Sequence, residues 1–122
     1  MIDFRKLARK AAEIIRLKKG KNILILDVRM LSDFTDYLVL ANGTSDTHIK
    51  TILNEIDEQL NINAYRKDIK SKANWVVLDY GGVVVHIFSE SARKYYNLEN
   101  NWAKAKEVKI KSKLKVKSRK LK

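Results

Sequence analysis

The sequence predicts a mixed α/β domain, a β-sheet of mixed direction with helices packed on it. Three observations predict it. Two stretches carry apolar residues at helical spacing, Phe4 to Ile15 and Ile49 to Leu60. Two dense apolar runs, NILILDVR with its β-branched residues and YLVLA, read as buried strands. Two further apolar runs, WVVLDY and VVVHIF, meet at a Gly-Gly pair, the signature of a hairpin. The chain has 122 residues, which suits one domain, and 45% of them are hydrophobic, enough for a packed core.

Phe4, Leu7, Ala8, Ala11, Ile14 and Ile15 form one helical stripe. Asp3 is placed to cap its start, and Gly20 to follow its end. The opposite face is basic. It superficially resembles an organelle transit peptide, but Asp3 and Glu13 are acidic and serine is missing. There is no apolar core for a secretory signal. Residues 22–29 and 37–41 follow as strands, joined by a polar loop that holds apolar plugs among Met30, Leu31 and Phe34. Asn42-Gly43 ends the second strand, and Ser45 caps a helix with Asp46 in its first turn. Ile49, Ile52, Leu53, Ile56 and Leu60 make that helix amphipathic. A short edge strand is expected over 64–69.

In the hairpin, the Gly81-Gly82 turn pairs Tyr80 with Val83, Leu78 with Val85 and Val76 with Ile87. These six side chains share one face, which reads as core. The other face carries Trp75, Val77, Asp79, Val84, His86 and Phe88. Asp79 and His86 lie diagonally across it and are placed to hydrogen-bond. Ser89 caps a last helix through Ala92, Arg93, Tyr96 and Leu98, with Trp102 shortly after.

Lys and Arg total 26 against 14 Asp and Glu, a net charge of +12. Residues 103–122 hold ten of the basic residues and one acid, Glu107. The domain is therefore expected to span residues 1–102, with 103–122 a flexible lysine-rich tail. Lys109, Lys111, Lys113, Lys115 and Lys117 alternate along that tail. Two readings stand: a solubilising segment, or an arm for RNA phosphates that orders on contact and gives affinity without sequence specificity.

Cysteine is absent, which excludes disulfides and thiol chemistry. His48 and His86, in different elements, are too few for a zinc or iron site. Asp27 stands alone in its strand and Asp33 and Asp36 lie in a loop, so no pair of carboxylates is set on adjacent strand positions for two-metal catalysis. Gly43-Thr44-Ser45 before a helix can hold an anion, but by itself that signal is weak and the segment reads first as a capped strand-to-helix turn. No run approaches the length of a membrane span.

Three segments, taken in order, resemble the ribosomal silencing factors, or Iojap family. The first is Leu26-Asp27-Val28-Arg29-Met30-Leu31-Ser32 with Thr35-Asp36-Tyr37, continuing to Gly43, Ser45 and His48. The second runs from Trp75-Val76-Val77-Leu78-Asp79-Tyr80-Gly81 through Val84-Val85-His86-Ile87-Phe88. The third is Arg93, Tyr96, Leu98-Glu99 and Trp102. Where the family commonly has an acid after the hairpin's first glycine, this chain has Gly82.

The resemblance implies a fold like the nucleotidyltransferase domains without their catalytic motif, and a protein that is no enzyme and needs no cofactor. It implies a cytoplasmic factor that binds the large ribosomal subunit at its fourteenth large-subunit protein, blocks joining of the small subunit and represses translation. An assembly adaptor that leaves joining untouched is the alternative. A homodimer is compatible with the free state. On the hairpin and last helix, the candidate contacts for the ribosomal protein are Trp75, Asp79, Tyr80, His86, Arg93, Tyr96, Leu98, Glu99 and Trp102. Core packing is the competing role for Trp75, Tyr96 and Trp102.

Overall fold

The computed structural model describes residues 2–70 and 74–110. Helix α1 (Phe4–Leu17) starts where the Asp3 carboxylate accepts from the Arg5 and Lys6 amides. It ends in a Schellman motif. Gly20 N donates to Ile15 O and Lys19 N to Arg16 O. The left-handed residue is Lys19, at φ 67°, and not Gly20. Gly20 has a different reason to be glycine: a Cβ there would lie 2.3 Å from Ile15 Cγ2. A left-handed backbone costs a non-glycine residue about 1–2 kcal/mol. Lys19→Gly is therefore expected to raise stability by about 1 kcal/mol in urea unfolding. An unchanged midpoint would show that the turn carries no such strain.

Strands β1 (Lys21–Asp27) and β2 (Tyr37–Asn42) pair antiparallel. Helix α2 (Asp46–Leu60) follows, capped by Ser45, whose Oγ accepts from His48 N. His48 joins the two helices: Nε2 lies 2.7 Å from Lys18 O, while Nδ1 accepts from Thr44 N at 2.9 Å. Strand β3 (Arg66–Lys70) is the expected edge strand, and β4 (Trp75–Asp79) and β5 (Val83–Phe88) form the hairpin in the expected register. Only Gly81 of the two turn glycines has positive φ, 87°. Gly82 lies under Phe4, and a Cβ on it would come within 2.3 Å of that ring. A side chain at this position would therefore have to displace the Phe4 ring. Helix α3 (Glu90–Tyr96) is capped by Ser89 and leads into a 3-10 turn, Leu98–Trp102.

The sheet order is β3-β4-β5-β2-β1-β6, with β2 and β5 the parallel neighbours at its centre. Strand β6 (Lys106–Val108) pairs with β1, Val108 opposite Ile25. The fold thus continues past Trp102, into the segment expected to be tail on its charge. Charge composition marks where lysines begin, whereas the fold ends where the last apolar side chain finds the core. Val108 is buried and Ile110 packs beside it. Of the tail lysines, Lys109 is described and exposed, while Lys111, Lys113, Lys115 and Lys117 lie outside the described residues.

Two apolar clusters sandwich the sheet. Helices α1 and α2 pack on the first face, against Val39, Ala41, Val76, Leu78, Val83, Val85 and Ile87. The second face holds Leu26, Leu38, Leu40 and Phe88, covered by Ala92, Leu98 and Trp102.

Candidate docking face

The register sets the site. On the second face, β4 presents Trp75, Val77 and Asp79, and β5 presents Val84, His86 and Phe88 opposite them. Trp75 is the hub. Its ring centroid lies 4.5 Å from Tyr96, 5.5 Å from Phe88 and 5.9 Å from His86. Its indole Nε1 donates to His86 Nδ1 at 3.1 Å. Tyr95 meets Tyr96 edge-on at 5.0 Å. Helix α3 follows β5 directly, so its last turn brings Tyr96 over Trp75. Trp75 and His86 are half-buried, whereas Tyr96 is 44% and Tyr95 82% exposed.

The Asp79–His86 arrangement differs from expectation. Asp79 Oδ1 accepts from Gly81 N at 2.9 Å, fastening the hairpin turn, and His86 takes its bond from Trp75. Turn geometry offers the carboxylate an amide two residues away, and local side-chain bonds of this kind compete well.

Tyr80 belongs elsewhere. It is 4% exposed and lies in the first cluster, among the residues under α1 and α2. That burial removes it from the docking face. The hairpin pattern itself puts it on the core side, with Val83. Its hydroxyl finds no hydrogen-bond partner among the described residues. Burial first, then the nearby Asp57 charge, push the phenol up to about 12.

Arg93 and Glu99 form a lock. Arg93 Nε and Nη2 donate to the two Glu99 oxygens at 2.9 and 3.2 Å. Arg93 Nη1 reaches Asn22 O at 2.7 Å and the buried Asn42 Oδ1 at 2.8 Å. One guanidinium ties α3 and the 3-10 turn to the ends of β1 and β2. Leu98 and Trp102 are half-buried cover for the second cluster. Of the nine candidates, the structure gathers Trp75, His86 and Tyr96 into one patch, with Asp79 along the same sheet face. Arg93, Leu98, Glu99 and Trp102 hold the element that borders it.

The loop between β1 and β2 supplies what the sequence reading missed. Met30 is 94% and Phe34 92% exposed, so they protrude where apolar plugs were expected. Their backbone is nonetheless fixed. Leu31 N and Ser32 N donate to Val28 O, and Ser32 Oγ accepts from Phe34 N and Thr35 N. Asp36 N donates to Gly82 O, tying the loop to the hairpin turn. Leu31 shares a hollow with Asn100, Asn101, Trp102 and Lys104, so the loop adjoins the 3-10 turn. The available signal was an isolated Met and Phe in a polar loop with no periodicity to seat them.

The Asp27 carboxylate is held bidentate by Arg29, at 3.0 and 2.7 Å. The guanidinium hydrogen bonds hold its pKa below the usual carboxylate value. Among the described residues no three His, Cys, Asp or Glu side chains converge as a metal centre would need. No helix among them is long and apolar enough to cross a membrane.

The family model described as "Ribosomal silencing factor during starvation", RsfS, matches residues 2–122. The chain belongs to the RsfS family. The match runs beyond Trp102, where the resemblance of the three segments stopped. A Bacillus subtilis ribosomal silencing factor is 38% identical over 91 residues, covering 72% of this chain and 77% of that protein. The mouse protein named "Mitochondrial assembly of ribosomal large subunit protein 1" is 25% identical over 95 residues, 73% of this chain and 42% of its own length. A crystal structure of a Chromobacterium violaceum protein superposes with a TM-score of 0.78 at 26% identity, covering 84% of this chain and 88% of that one. The mixed α/β fold read from the sequence is therefore the fold of this RsfS chain and of its structural neighbour.

Proposed function

We propose that this protein is a cytoplasmic silencing factor that binds the large ribosomal subunit at its fourteenth large-subunit protein. Seated there, it sterically blocks the small subunit and represses translation. Blocking needs no catalysis, only an interface that outlasts the encounter. The observation that carries the reading is the half-exposed Trp75–His86–Tyr96 patch on a member of this family, with the solvent-facing Met30 and Phe34 in the loop at the other end of the strands. Exposed aromatic and Met side chains are the usual anchors of protein interfaces. A standard interface takes about 800 Å² per partner, within reach of one face of such a domain. Lys109, Lys111, Lys113, Lys115 and Lys117 would add contacts to ribosomal RNA phosphates. In the free protein the same apolar prongs give two copies a surface on which to pair.

The test is a sucrose-gradient association assay. Large subunits are preincubated with the protein before small subunits are added. Dose-dependent loss of the joined peak, with the protein comigrating with large subunits, is the expected result. The double variant Met30→Ser, Phe34→Ser touches two side chains that are almost wholly exposed, so the fold should survive. It should weaken subunit binding at least tenfold, about 1.4 kcal/mol. Wild-type binding by that variant would remove the loop from the interface. Comigration without loss of joining would support the assembly-adaptor reading, which the name of the mouse relative favours.

A further inference from the structure

We propose that the outer face of α1, with Lys109 beside it, forms a second and separate binding surface, for the phosphate backbone of RNA. Arg5, Lys6, Arg9 and Lys10 occupy the first two turns of α1 on its solvent side. Arg5/Arg9 and Lys6/Lys10 make two pairs one helical turn apart. Arg5, Lys6 and Lys10 make no ion pair among the described residues. The first turn of α1 holds no acid. Cations at a helix amino end oppose the helix dipole, so this placement works against the helix itself. Asp3 caps this end and the charge of Arg5 reaches Asp27, so the fold offsets part of that cost; what remains is a dense cluster of exposed cations, a footprint suited to a polyanion.

The C-terminal segment joins this face. Arg9 Nε donates to Lys109 O at 3.1 Å, and Ile110 packs on the first cluster that α1 also covers. The chain thus leaves the fold at the flank of α1. Residues 111–122 then add seven cations and no acid. This surface lies across the sheet from the Trp75 patch, because α1 covers the first face and Trp75 stands on the second. A protein partner and RNA can therefore be held at once.

The chemistry favours RNA over other anionic partners. Between Arg5 and Arg16 the apolar side chains of α1 are turned inward and buried. The exposed apolar side chains near this helix, Ile2 and Leu17, stand singly at its two ends and make no apolar face of the kind that membrane-surface helices insert. The outer face has no aromatic to stack on a base, so it reads the backbone and not the sequence.

The experiment uses the full chain and a short fluorescein-labelled RNA duplex of mixed sequence, followed by anisotropy from about 50 to 200 mM KCl. It contains no ribosomal subunit, so its outcome is separate from that of the gradient assay. The triple variant Arg5→Ala, Lys6→Ala, Lys10→Ala should bind roughly tenfold or more weakly at the upper salt. Its log–log salt slope should be shallower by about 0.9 for each phosphate that is no longer neutralised. Deleting residues 111–122 should also flatten the slope. A control triple, Lys50→Ala, Lys94→Ala, Lys104→Ala, removes the same charge from exposed positions on α2, α3 and the chain before β6, and should keep most of the affinity. Circular dichroism checks that each variant folds. Equal losses in the two triples would overturn the proposal, because overall charge would then hold the RNA. A wild-type slope in the α1 triple would overturn it too. So would uptake of the protein by phosphatidylglycerol vesicles without binding to the duplex.

Discussion

Tyr80→Ala is expected to unfold the domain more readily, not to blunt its docking face. The side chain is 4% exposed beneath α1 and α2, and removing so large a buried ring costs about 3–5 kcal/mol. Urea unfolding would show it as a large fall in midpoint at unchanged slope. Tyr80→Phe should act in the opposite direction. The hydroxyl is buried without a partner among the described residues, and such a group costs about 1–3 kcal/mol. Phenylalanine keeps the ring and removes that cost, so a gain of about 1 kcal/mol is expected.

The same hydroxyl makes stability depend on pH. The folded-state phenol is raised to about 12 from 10.0, so the native state keeps a proton that the unfolded chain loses first. Its contribution is intact below pH 10 and is lost as pH rises from 10 towards 12. The loss is on the order of 2 kcal/mol across that window. The difference between wild type and Tyr80→Phe should therefore widen above pH 10. A constant difference would mean that the ring is solvated in the native state.

Arg93→Ala is the second large effect. The Arg93 side chain is 11% exposed and serves three partners: Glu99, the Asn22 carbonyl and the buried Asn42 amide oxygen. Removing it leaves Asn42 Oδ1 without that donor and releases the 3-10 turn from the sheet. A loss of about 2–4 kcal/mol is expected, by analogy with removing one partner from a buried polar network. Arg93→Lys should recover only part of it, because one ammonium cannot copy the fork that spans these partners. Thermal unfolding measures both. Full recovery by lysine would mean that charge alone, and not the geometry of the guanidinium, matters. Since Leu98 and Trp102 ride on the same turn, the alanine variant should also weaken large-subunit binding indirectly.

Much of the fold was legible because periodicity reports burial. The stripes of α1 and α2 are buried faces, and the Gly81-Gly82 pair fixes the hairpin register from which every side chain's face follows. The first-face position of Tyr80 follows from that same register. The pleat puts this tyrosine under the helices, although it stands in a motif that suggests an exposed contact. Other features were not local and so not legible. Lys19 rather than Gly20 turns left-handed because a packing contact with Ile15 already claims the glycine. Strand β6 is three residues long and lies among lysines, so its pairing with β1 leaves almost no trace in composition. Met30 and Phe34 face water because the loop backbone is satisfied without them, which depends on bonds from Ser32 and Gly82.

The parallel pairing of β2 with β5 has a consequence for synthesis. Strand β2 is buried along its whole length, and the neighbour that completes one of its edges, Val83–Phe88, lies 46 residues further along the chain. At about 5–20 residues per second, the ribosome needs roughly 2–9 s to deliver it. During that interval α1, β1, β2 and α2 can gather, but one side of a strand destined for full burial remains an open ladder of amides and carbonyls, the kind of edge that recruits other chains. A factor that acts on ribosomes would thus be most prone to aggregate while still attached to one. Slow codons placed between α2 and β4 should lengthen that exposure and lower the soluble yield.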